Sequence, residues 1–119
     1  GRVWELLCGA KALRHQKAGL YAEIISRIQT VSPKVASEIE KDVPRTLPRV
    51  TKFQSPIYLR SLSRVLLAFS EYVPEIGYCQ SMNSLAAAIL LHFPPSTLVD
   101  LHLWAQHHQH GTARVSVRI

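Results

Sequence analysis

No apolar run in the 119-residue chain is long enough to cross a bilayer. The longest, Leu85-Ala86-Ala87-Ala88-Ile89-Leu90-Leu91, is soon stopped by Pro94-Pro95 and reads as a buried core helix. Cysteine is scarce: Cys8 and Cys79 stand far apart, which favours a reducing, cytosolic setting over a disulfide scaffold. No G-x-x-x-x-G-K-[ST] loop occurs, so the chain is not expected to bind a nucleoside triphosphate by itself. No Ser–His–Asp or Cys–His arrangement stands out either. Gly1 to Ala10 carries Arg2 and Glu5 within its apolar run and does not read as a secretory signal. Net charge is +6, but Lys and Arg never form a run of five or more. Without such clustering or interleaved aromatic residues, the basic balance reads as a solvated surface, and no nucleic-acid partner is expected.

Apolar residues make up 47% of the chain, enough for one folded domain with a modest core. Residue 1 is Gly and the opening residues already read as folded sequence, so a fragment of something longer is expected. Val3 to Leu7 reads as a short helix that Gly9 stops. Lys11 to Ala18 reads as a polar loop or frayed turn. Leu20, Ile24 and Ile28 recur every four residues and predict a helix from about Ala18 to Gln29. Ser32-Pro33 opens another helix, with Ser as N-cap and Pro at the first position. That helix should end near Asp42, because Pro44 disfavours helical backbone at Val43. Pro44 to Pro56 reads as an extended surface loop pinned by Leu47 and Phe53. Tyr58, Leu62, Val65, Leu66 and Phe69 form the clearest helical stripe. Pro74 and Gly77 make a turn, and a last apolar helix follows from about Ser81 to Leu91.

Two short polar clusters stand between these helices. One is Ile39-Glu40-Lys41-Asp42-Val43-Pro44-Arg45-Thr46, the other Gly77-Tyr78-Cys79-Gln80-Ser81-Met82-Asn83. Each sets one long hydrogen-bonding side chain, Arg45 or Gln80, beside a helix-breaking residue. An arginine can neutralise charge developing on a transferring phosphoryl group, and a glutamine can orient the attacking water. Pro44 stiffens the approach to Arg45, and such pre-ordering lowers the cost of positioning. Cys79 reads as a buried structural thiol.

In these residues the chain resembles the N-terminal part of the TBC domain, the all-helical GTPase-activating module that acts on Rab-type small GTPases. Arg2-Val3-Trp4 with Leu7 and Gly9 match the family's opening motif. Ile39, Asp42 and Arg45 match I-x-x-D-x-x-R, with Thr46 in register. Tyr78 and Gln80 match Y-x-Q, followed by Asn83 and the apolar helix. The resemblance implies an all-α fold in which Arg45 is an arginine finger and Gln80 a glutamine supplied in trans. Ile39, Asp42, Thr46, Tyr78 and Asn83 would support them. The expected partner is a Rab-family GTPase in its GTP-bound state. GTP and Mg²⁺ would belong to that partner, so no cofactor or metal is expected in this chain. A cytoplasmic location follows, with membranes reached only indirectly through the Rab.

The chain departs from the family pattern at Ser81, where Gly is usual, and at Leu47, where Phe is commoner. Residues 1–92 are expected to form the TBC-like part and 93–119 a divergent tail. In the tail, Leu98, Leu101, Trp104 and Ala105 sit at helical spacing, His102, His107, His108 and His110 carry no convincing metal pattern, and Arg114 to Ile119 alternates polar and apolar residues. The remainder of the domain is expected to be missing. The alternative reading is therefore a truncated, non-catalytic module that binds a GTPase or a trafficking partner.

Overall fold

Helix-forming and turn-forming residues alternate in short blocks, and the computed structural model converts them into six α-helices across its described residues, 2–94. No strand occurs among those residues, as the all-α reading requires. The helical spacing of Leu98 to Ala105, the histidines from His102 to His110 and the stretch from Arg114 to Ile119 fall outside the described residues.

Helix α1 (Arg2–Leu7) ends as predicted at Gly9, whose φ of 71° is left-handed. The segment read as a loop after it is instead helix α2 (Ala10–Gln16). Ala, Leu, Lys, Arg and Gln there are good helix formers, and their intrinsic preference suffices although the helix buries no residue. Helix α3 (Leu20–Ser26) is shorter than its apolar stripe suggested, because Gly19 delays its start and the chain tightens into a 3₁₀ turn at Ile28–Thr30. Ile24 and Ile25 pack with Ala68 in a small cluster of their own.

Helix α4 (Pro33–Asp42) starts and stops where Ser32-Pro33 and Pro44 predict, although the Ser32 side chain makes no capping hydrogen bond. The expected extended loop after it is more structured. Val43–Arg45 and Thr51–Gln54 are 3₁₀ turns, and Phe53 is buried. Proline fits the first positions of such a turn, whose few residues leave no periodic trace in the sequence. Helix α5 (Pro56–Tyr72) is the central element and contacts α3, α4, both neighbouring 3₁₀ turns and α6 (Met82–Leu90). Its buried Tyr58, Leu62 and Leu66 form the main core with Ile39, Val43, Phe53, Tyr78, Ala87 and Leu90. Buried Ser61, Ser63 and Ser70 keep its other faces slim enough for neighbours to approach.

One face of the α5–α6 pair stays open among the described residues. An apolar cavity of about 460 Å³ lies there, lined among others by Phe69, Met82, Leu85 and Ile89. Leu85 and Ile89 are exposed despite their size. No helix among the described residues is long and apolar enough to cross a membrane.

Candidate functional site

The end of α4 and the start of α6 meet side by side, although 36 residues separate Asp42 from Tyr78. Ile39, on the last inward turn of α4, is fully buried and roots that helix end in the core. Three residues on, Asp42 leaves the core with its side chain only 13% exposed. The Tyr78 hydroxyl donates to Asp42 Oδ2 at 2.7 Å, and Arg45 Nη2 donates to Asp42 Oδ1 at 2.6 Å. Both carboxylate oxygens are thus engaged, each by a residue from a different cluster.

A second link lies one step further along. Thr46 is buried, and its hydroxyl donates to the Asp42 carbonyl oxygen at 2.8 Å. Asn83 Nδ2 donates to that same hydroxyl oxygen at 2.8 Å. Asn83 lies in the first turn of α6, so this bond fastens that helix start to the 3₁₀ turn that carries Arg45. Tyr78 and Asn83 therefore pin the Gln80 segment on both sides, and Asp42 and Thr46 are their anchors.

Electrostatics agree with the geometry. The hydrogen bonds from Tyr78 and Arg45, helped by the Arg45 charge, hold the Asp42 carboxyl below its ordinary range against partial burial. Burial first, and then the bond to Asp42, push the Tyr78 hydroxyl above the usual tyrosine range. At neutral pH the pair is a carboxylate accepting from a neutral phenol, the arrangement that hydrogen-bonds best.

Arg45 and Gln80, by contrast, face solvent. The Arg45 side chain is 70% exposed, and its ion pair is of the surface kind that contributes little to stability. Gln80 is exposed and makes no side-chain hydrogen bond among the described residues. All seven residues named from the sequence thus occur in one neighbourhood: Ile39, Asp42, Thr46, Tyr78 and Asn83 form a buried or half-buried frame, and Arg45 and Gln80 project from it. Cys79 corrects an expectation, since it is exposed. Its backbone N–H instead donates to the Met82 sulfur at 3.1 Å, within the turn that precedes α6.

Two backbone features escaped the sequence reading. Leu47 and Ser81 both have positive φ, 46° and 85°, although neither is glycine. Each follows closely on a projecting residue, Leu47 after Arg45 and Ser81 after Gln80. The replacement of the usual Gly by Ser81 was the available signal for one of them. Nothing in the composition around Leu47 marks the other. Among the described residues no group of His, Cys, Asp and Glu is placed to hold a metal ion.

Comparison with known proteins places this geometry in context. Residues 1–107 match the profile of the Rab-GTPase-TBC domain, so the match runs past His92. The chain is similar to "GTPase-activating protein gyp2" of Schizosaccharomyces pombe, with 39% identity over 90 residues, 76% of this chain and 12% of that protein. It is also similar to "TBC1 domain family member 2A" of Homo sapiens, with 42% identity over 92 residues, 76% of this chain and 10% of that protein. "GTPase-activating protein GYP3" of Saccharomyces cerevisiae is 37% identical over 103 residues, 74% of this chain and 16% of that protein. The chain therefore spans a small fraction of the length of these relatives. No solved structure matches it.

Proposed function

The chain belongs to the Rab-GTPase-TBC domain family, and from that premise we propose that it accelerates GTP hydrolysis on a Rab-type small GTPase. One observation carries the reading. Two cross-links, Tyr78 to Asp42 and Asn83 to Thr46, hold the turns bearing Arg45 and Gln80 beside each other while both side chains stay exposed.

GTP and Mg²⁺ are the partner's. On docking, the Arg45 guanidinium exchanges the Asp42 carboxylate for phosphoryl oxygens, which carry more negative charge as the bond to the leaving group breaks. That exchange is cheap because the pair with Asp42 is exposed. Gln80 accepts a hydrogen bond from the attacking water through its side-chain carbonyl, and its amide N–H donates toward the phosphoryl group. The glutamine thereby aligns the water for in-line attack. An arginine supplied in trans contributes roughly 10³–10⁵ in rate. The chain would meet its partner on the cytoplasmic face of an endomembrane.

A second reading keeps the partner and drops the catalysis. The open apolar face behind α6, with Leu85 and Ile89 exposed, offers a binding surface to a scaffold that engages a GTPase without accelerating hydrolysis.

Single-turnover GTP hydrolysis on a panel of Rab proteins decides between them, once circular dichroism has established that the chain is helical. Acceleration that is lost in Arg45→Ala and Gln80→Ala supports the catalytic reading. Binding of a GTP-loaded Rab by a folded chain, with no acceleration, supports the second.

A further inference from the structure

We propose that Ser81 is a positioning residue that limits how fully the Gln80 turn forms, so that this chain delivers its glutamine less effectively than its frame permits. The inference rests on the reading in which Gln80 orients the hydrolytic water.

The turn is short and well defined. Met82 N–H donates to the Cys79 carbonyl at 3.1 Å, which places Gln80 and Ser81 at the two central positions of a four-residue turn. Ser81 has φ 85° and ψ −16°. Those angles belong to the third position of a type II turn, which favours glycine because a Cβ crowds the backbone there. Asparagine and aspartate tolerate the region through local hydrogen bonds, whereas serine does so less well. The Ser81 side chain is exposed and makes no capping hydrogen bond at the start of α6, so no contact of its own offsets the strain. Leu47 differs in this respect, since its side chain packs against the main core.

Strain placed here has one outlet. Tyr78 and Asn83 are fastened to Asp42 and Thr46, so the chain on either side of the turn is fixed. The peptide plane between Gln80 and Ser81 is what remains to flip. Flipping returns Ser81 toward negative φ and re-orients the backbone that carries Gln80. The left-handed penalty for an L-residue corresponds to roughly five- to thirtyfold in the population of a turn. The two flanking anchors recover part of that.

Ser81→Gly tests the proposal by two independent measurements. Amide hydrogen exchange of Met82, Ser84 and Leu85, whose N–H groups donate to the Cys79 and Ser81 carbonyls, should slow by about three- to tenfold relative to the remaining helices. Single-turnover hydrolysis on a responsive Rab should quicken by a similar factor. The gain should vanish when Gln80→Ala is added, and Ser81→Ala, which keeps the Cβ, should not reproduce it. Unaltered exchange in Ser81→Gly overturns the proposal, and so does a rate gain that persists without Gln80. Slower exchange with no acceleration by either chain leaves the turn as described and overturns the catalytic reading instead.

Discussion

The Tyr78 hydroxyl and the Arg45 guanidinium divide the two oxygens of Asp42 between them, at 2.7 and 2.6 Å. Their roles are unequal. Tyr78 is buried and its bond locks the frame, whereas Arg45 is exposed and its bond holds only a side chain at the surface. An asymmetric carboxylate of this kind keeps its position when the arginine leaves, because the tyrosine still holds it.

Tyr78→Phe removes that hold while leaving the ring. A hydrogen bond from a buried hydroxyl to a carboxylate is lost, so unfolding free energy should fall by about 1.5–3 kcal/mol. The Asp42 carboxyl should move up toward its ordinary range. Urea denaturation measures the first effect and a carbon-detected NMR titration of Asp42 the second. A variant as stable as the parent would mean that the bond carries no frame.

The same pair sets the expected pH dependence. Asp42 has a lowered pKa in the folded chain, so its contribution is present above the unfolded value near pH 4 and is lost as pH falls through the folded value. Tyr78 has a raised pKa, so its contribution is complete below the unfolded value near pH 10 and is lost as pH climbs beyond it. Stability should therefore sag at both ends, with the alkaline loss reduced in Tyr78→Phe and the remainder left to Tyr21, whose hydroxyl pKa is also raised by burial. A series of denaturation midpoints from pH 2 to 11 should reveal both limbs.

Thr46→Val tests the second cross-link with little change in shape. The Thr46 hydroxyl both donates to the Asp42 carbonyl and accepts from Asn83. Valine leaves both partners without it, and a cost of about 2–3 kcal/mol is expected. Thr46→Ser, which keeps the hydroxyl, should lose much less. Comparing the two variants by thermal unfolding separates the hydrogen bonds from the methyl group.

Much of this was written locally in the sequence. Helices α4 and α5 were legible because Ser32-Pro33, Pro44 and the apolar stripe from Tyr58 to Phe69 are short-range signals. The seven candidate residues stood out through the motifs that the chain shares with the family it resembles, and the fold brings them into one neighbourhood. What no local pattern could supply was the pairing of Asp42 with Tyr78 and of Thr46 with Asn83, since each joins residues distant in sequence. Helix α2 was missed because it buries nothing and so carries no apolar period. The turns at Val43–Arg45 and Thr51–Gln54 were missed because a 3₁₀ segment this short leaves no period in the sequence.

Tyr58→Phe supplies a contrast to Tyr78→Phe. The Tyr58 hydroxyl is buried and has no hydrogen-bond partner among the described residues. Its ring meets Phe53 with centroids 5.5 Å apart, a contact phenylalanine preserves. Removing an unpaired buried hydroxyl should be neutral or stabilising by up to about 1 kcal/mol. The same chemical change thus has opposite expected signs at two sites, and differential scanning calorimetry of both variants shows whether partnering decides it.

Arg45→Lys separates charge from shape at the projecting residue. Because the side chain is largely exposed, exchange of one cation for another should change stability by no more than about 0.5 kcal/mol. Its effect on GTP hydrolysis should be large. A guanidinium presents a planar fork of donors that can bridge two phosphoryl oxygens at once, whereas an ammonium is a compact point charge on a flexible stem. Under the proposed function, lysine at position 45 should keep the electrostatic attraction toward the partner and lose most of the roughly 10³–10⁵ in rate expected of an arginine supplied in trans. Single-turnover kinetics at saturating chain distinguishes the two, because binding is then removed from the comparison. If lysine sustained more than about a tenth of the acceleration, charge alone would suffice, and the rigid 3₁₀ turn that aims Arg45 would have no catalytic purpose.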